Sequence, residues 1–126
     1  MFKNSHAFSG FSVSDVAAAK EFYSKLGVDV IQDEMGLKLN VNSGTPVYVY
    51  EKKDHVPATF TILNFPVEDI DAAVDGLIAA GVEFEHYGED MHQDEKGVAR
   101  GKAAGYGPDI AWFKDPSGNI LSVLCN

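Results

Sequence analysis

At 126 residues, 45% of them apolar, the chain has the size and composition of one globular domain, which excludes a disordered segment. A formal net charge of −9 and an isoelectric point near 4.7 oppose non-specific binding to nucleic acid and to anionic membrane surfaces. The one cysteine, Cys125, cannot close an internal disulfide, residues 1–9 lack the apolar core of a targeting segment, and no run reaches the roughly 18 apolar residues of a membrane span. A cytoplasmic protein with neither nucleic acid nor membrane as partner is expected.

The first strand-like run covers residues 8–13 and is followed by Asp15, a residue suited to cap a helix N-terminus. Apolar residues then recur at helical spacing (Val16, Ala19, Tyr23, Leu26) until Gly27, which suits a left-handed helix end. Three strands follow at residues 28–32, 37–41 and 47–50, parted by Met35-Gly36 and by Asn42-Ser43-Gly44. A short polar stretch, residues 54–57, reads as a boundary. Beyond it the pattern repeats at an offset of 54 residues: Phe11, Val13, Asp15, Ala18, Ala19, Gly27 and Val28 fall on Phe65, Val67, Asp69, Ala72, Ala73, Gly81 and Val82. The second copy predicts a strand at residues 60–67, a helix with Ile70, Ala73, Leu77 and Ala80 on its apolar face, and strands at 82–86, 110–114 and 120–124. Asp115-Pro116-Ser117-Gly118 is a hairpin turn between the last two. Each half is therefore β-α-β-β-β. The expected fold is α+β, two tandem βαβββ modules forming paired curved mixed sheets in a single domain over residues 1–126, with module one at 1–56 and module two at 57–126.

Residues 88–108 have no counterpart in the first half. A loop of that length reads as a lid, a binding segment or a solvated connection. Within it, Arg100 could meet a ligand carboxylate or phosphate through its planar fork.

In order and in duplicate, the strand, Val-x-Asp at Val13 and Val67, the helix ending in glycine and the closing Phe113-Lys-Asp-Pro-Ser-Gly-Asn119 resemble the glyoxalase/bleomycin-resistance/dioxygenase superfamily, also called vicinal oxygen chelate proteins. The resemblance spans nearly the whole chain. It implies a divalent metal held by His and Glu on the first and last strands of each module, a Lewis acid for vicinal oxygens or dioxygen. The corresponding positions here are Phe8, Ile62, Ser122, and either Tyr48 or Tyr50. None is a good ligand, and a shift of two residues gains only His6. His55, His86 and His92 form no His-x-His or His-x-x-x-His pair. The expectation is that the metal site is lost and that no cofactor is needed.

Side chains alternate along a strand, so His6 shares a face with Phe8, Phe60 with Ile62 and Asn64, Tyr48 with Tyr50, and Ser122 with Ile120 and Leu124. These would line an aromatic and apolar pocket with a few polar tips, and Trp112, the sole tryptophan, could be a stacking wall of it or a dimer contact. The reading is a metal-independent protein of the bleomycin-resistance-like type that binds a small amphipathic or aromatic molecule, with the homodimer that the resemblance implies. Two alternatives stay open. A metal-dependent lyase, isomerase or dioxygenase of glyoxalase type would need other ligands, such as His6 with the acidic loop. An interaction domain would show a pocket filled by its own side chains. Nucleophilic catalysis has little support, since Gly-x-Ser-x-Gly is missing and Cys125 has no evident base beside it.

Overall fold

In the computed structural model, which describes residues 1–41 and 44–126, the two main helices begin where the sequence supplies a carboxylate. Helix α1 is Val16–Lys25, and the side chain of Asp15 accepts the Ala18 amide at 3.2 Å. Helix α2 is Ile70–Ala79, and Asp69 accepts the Ala72 amide at 3.0 Å. Each carboxylate satisfies an amide that the helix itself cannot, at its positive end. Both helices stop the same way. Gly27 and Gly81 adopt φ of 89° and 94°, the left-handed region that a side chain resists. The amides of Gly27 and Val28 donate to the carbonyls of Ser24 and Tyr23, and those of Gly81 and Val82 to Ile78 and Leu77. This paired closure satisfies the last helix carbonyls.

The chain divides into two compact units, Met1–Pro57 and Ala58–Asn126, one residue from the boundary read in the sequence. In the first, strands β1 (Gly10–Val13), β2 (Asp29–Asp33), β3 (Gly36–Asn40) and β4 (Val47–Glu51) form a sheet in the order β1-β4-β3-β2. Strand β1 runs parallel to β4 and the other pairs are antiparallel. Helix α1 packs against this sheet, and Tyr23 and Ala19 are buried with Val13, Leu37, Leu39 and Val49. The tight β2–β3 turn is closed by Asp33, whose carboxylate accepts the amides of Met35 and Gly36. Of the expected turn Asn42-Ser43-Gly44, the first two residues lie outside the described residues.

The second unit repeats the plan with β5 (Thr61–Pro66), β6 (Ala99–Arg100), a short helix α3 (Gly101–Ala104), β7 (Asp109–Lys114) and β8 (Ile120–Cys125). Its order is β5-β8-β7-β6, with β5 parallel to β8. Ile70 and Val74 of α2 are buried with Ala111, Phe113, Leu121 and Val123. Val74 carries the helix contact while Ala73 and Leu77 are only half-buried, a small rotation of the expected apolar face. The β7–β8 hairpin is held by Asp115, whose carboxylate accepts the amides of Ser117 and Asn119 and the Asn119 side chain. That satisfaction lets a carboxylate sit 4% exposed.

Three expectations need correction. The first strand starts at Gly10, so Phe8 precedes it. The strand read at 60–67 is Thr61–Pro66, and its register against β8 shifts between Thr61 and Leu63. Residues 82–86 are not a strand; their backbone meets β7 through a bridge from Phe84 to Phe113 and the Glu85 amide on the Trp112 carbonyl at 2.8 Å. The rest of that edge is filled by β6, which comes from the segment read as a loop. Among the described residues no helix is long and apolar enough to cross a membrane.

Candidate functional site

The sheet of the second unit has one face under α2 and one turned from it. Cross-strand partners share a face, which sorts the residues. Ser122 lies opposite both Asn64 and Trp112, and Ile110 opposite Ala99 and Leu124. These occupy the face away from α2, since the alternate residues Ala111, Phe113, Leu121 and Val123 form the core. On the open face a cavity of about 500 Å³ lies between Ile110, Trp112 and Ala99 of the sheet and Asp90, Met91, His92, Gly101, Tyr106 and Pro108 of the inserted segment. Its walls are mostly apolar and aromatic. The His92 ring stacks on Tyr106 at 5.4 Å, and Tyr87 meets Trp112 edge-on at 5.5 Å. Burial, seconded by the Glu85 carboxylate, pushes the Tyr87 phenol above its ordinary value, against a smaller opposing pull from Lys114.

The inserted segment holds its shape through dense local bonding. The Asp94 carboxylate accepts the amides of Lys96 and Val98, both at 2.9 Å, and Val98 is fully buried. The Gln93 side chain donates to the carbonyls of Glu85 and Gly97 and accepts the Tyr87 amide. Two ties then run to α2: Lys96 to Asp75 at 2.7 Å and Arg100 to Asp71 at 2.6 Å. Arg100 also reaches Asp94 at 2.9 Å and Asp109 at 3.8 Å. The Arg100 hydrogen bond is the main reason that the Asp71 carboxyl is held below its usual range. Burial alone would raise the Asp94 carboxyl, but the Val98 amide, Arg100 and the Lys96 amide together hold it low. The carboxylates in turn raise Arg100, with Asp71 foremost.

The residues singled out in the sequence fall into separate places. Trp112 lines the cavity, and Ser122 sits beside it, fully buried, donating to Asn64 Oδ1 at 2.5 Å. Arg100 lies on the α2-bearing face, where three aspartates take up its fork, so it does not enter the cavity. Ile62 falls at the register shift of β5, which interrupts the alternation that would have aligned it with Phe60 and Asn64. Phe60 precedes β5 and is 67% exposed. In the first unit, Tyr48 and Tyr50 share the face turned from α1, opposite Gly10 and Ser12 respectively. The Phe8 ring rests on Tyr48 at 4.8 Å, and Lys38 lies over the same ring at 5.6 Å. His6 is in the exposed segment before β1. Ser12 on this face bonds to His55 Nδ1 at 2.6 Å. Sequence reasoning missed Asp90, Met91 and Tyr106; the one signal for them was the length of the insertion.

The donor chemistry at the positions where the resembled enzymes hold a metal does not fit one. Phe8 and Ile62 have no donor atom, Tyr48 and Tyr50 offer phenols rather than imidazole or carboxylate, and the Ser122 hydroxyl is engaged with Asn64. Among the described residues no three His, Cys, Asp or Glu side chains gather closely enough to hold a metal ion.

Comparison with known proteins bears on the fold and the family. No curated protein matches the sequence. Many solved structures share the fold. An integron cassette protein from the mobile metagenome of Halifax Harbour Sewage Outfall superposes with a TM-score of 0.70 at 19% identity, covering 94% of this chain and 96% of its own. A glyoxalase/dioxygenase from Nostoc punctiforme gives 0.67 at 17% identity, over 99% and 92%. A genomically encoded fosfomycin resistance protein from Listeria monocytogenes gives 0.68 at 14% identity, over 95% and 91%. The family model described as Glyoxalase/Bleomycin resistance protein/Dioxygenase superfamily matches residues 5–123. With the duplicated β-α-β-β-β plan and both helix caps in register, the chain belongs to the glyoxalase/bleomycin resistance protein/dioxygenase superfamily.

Proposed function

We propose that this protein binds a small amphipathic or aromatic molecule without a metal and without transforming it. The observation that carries the reading is the cavity on the open face of the second sheet. At about 500 Å³ it falls within the range of small-molecule sites, and its aromatic walls suit a flat ligand. Trp112 is the central wall residue, half-buried and braced by Tyr87. The donor set at the metal positions supports a binding role over a Lewis-acid one. Cytoplasmic action as a homodimer completes the proposal, in keeping with a single cysteine and with the resistance branch that the sequence resembles.

Two measurements test it. Native mass spectrometry of gently purified protein should give a dimer mass without metal; a stoichiometric metal lost to a chelator would overturn the reading in favour of a lyase, isomerase or dioxygenase. Since Trp112 is the only tryptophan, its indole N–H gives a single signal in a ¹H–¹⁵N correlation spectrum. A panel of flat two-ring compounds should move that signal saturably. A signal unmoved by the whole panel would mean that the cavity does not receive such ligands.

A further inference from the structure

The net charge of the chain is distributed very unevenly. The first unit carries seven acidic and six basic residues, while the second carries twelve acidic and four basic. The cavity lies in the second. All four basic residues of that unit are already committed away from it. Lys96 pairs with Asp75, Lys114 with Glu85, and Arg100 with Asp71, Asp94 and Asp109. The Lys102 ammonium lies 3.3 Å from Cys125 Sγ. Among the described residues no lysine or arginine lines the cavity, and Asp90 is the one carboxylate at its wall. Among the described residues no cation pairs with Asp90.

We infer that the ligand of this cavity is a cation, a flat aromatic carrying a fixed or protonated positive nitrogen. The inference rests on the binding role proposed above and names the ligand class. Three physical effects agree. Indole and phenol faces attract a cation through their negative π-clouds, tryptophan most strongly, and Trp112 and Tyr106 supply one of each. The Asp90 carboxylate gives that charge a partner at the wall. The unit's excess of −8 adds a field that concentrates cations and repels carboxylates and phosphates. A ligand anion would meet no compensating donor charge there, because Arg100 is turned to the α2 side of the sheet.

The test uses three two-ring probes of nearly equal shape on the full-length protein: N-methylquinolinium, 1-methylnaphthalene and 1-naphthoate. Binding is read from the Trp112 indole signal at low and at high salt. The cation should bind about tenfold more tightly than the neutral probe, with the anion weakest, and salt should weaken the cation alone. Asp90→Asn should reduce cation affinity about three- to tenfold and leave the neutral probe unchanged. Asp90 is exposed, so the variant should fold normally, which the rest of the spectrum verifies. A neutral probe that binds as well as the cation, or an Asp90→Asn variant that keeps the wild-type preference, would overturn the inference while leaving the binding role intact. If none of the three probes moves the signal, the binding role falls and the cation preference with it.

Discussion

The two units are built to one plan and differ at one edge. Both begin their helix on an aspartate, end it on a left-handed glycine and order their strands alike. In the first, the strand beside β3 is the five-residue β2, paired along its whole length. In the second, the corresponding edge beside β7 is assembled from two fragments, the single bridge at Phe84 and the two-residue β6. An edge strand has only one neighbour, so replacing it costs less backbone pairing than replacing an inner strand. The inserted segment uses that tolerance, and the cavity stands where it folds back over Ile110 and Trp112. The shared frame thus supplies the core, while the altered edge supplies most of the walls of the cavity.

Several perturbations would break or sharpen this comparison. The largest effects should come from the common core. Phe113→Ala should cost about 3–5 kcal/mol and Leu39→Ala about 2–5 kcal/mol in urea unfolding, as both side chains are almost fully buried. Next comes the tie between the inserted segment and α2 in the second unit. Arg100→Gln should cost about 1 kcal/mol, a modest figure because Arg100 is a third exposed and Asp71 more than half. The pH dependence follows from the lowered carboxyls of Asp71 and Asp94. Their contribution is present above the ordinary aspartate value, about pH 4, and is lost as pH falls through the lower folded values. Acid titration of stability should therefore be shallower in Arg100→Gln than in the wild type.

The helix ends should respond alike in both copies. Asp15→Ala and Asp69→Ala should each cost about 1 kcal/mol by thermal unfolding, and a clear inequality would show that the duplicated caps are not equivalent. Gly27→Ala should cost about 1 kcal/mol from backbone conformation alone, since an added methyl there meets no atom within 4 Å. The smallest stability effect belongs to Tyr106→Ala, within about 0.5 kcal/mol for so exposed a ring, though ligand binding should weaken clearly.

What the sequence discloses here follows the range of the interaction. The caps at Asp15 and Asp69, the closing glycines and the Asp115–Asn119 turn each depend on atoms within a few residues, and each was legible. The offset of 54 residues then tied the halves together. Residues 82–86 alternate like a strand but lost most of that edge to β6, whose two residues carry no periodic signal. Arg100 looked available because its partner Asp71 is 29 residues away, on a helix whose orientation the sequence does not give. The cavity was only partly legible for the same reason: Trp112 stood out as a lone tryptophan on a strand, but Asp90, Met91 and Tyr106 join it through the fold of the insertion.

Among the described residues His92 is the one non-glycine with a positive φ, at 52°. A side chain in that left-handed region costs about 1 kcal/mol relative to glycine, which would adopt it freely. The imidazole that incurs this penalty lies on the Tyr106 ring at the cavity wall. Resistance to heat and possession of a formed wall are thus set against each other at a single position. A directed-evolution campaign that rewarded heat resistance alone would find glycine favourable there and would erode the pocket as it succeeded.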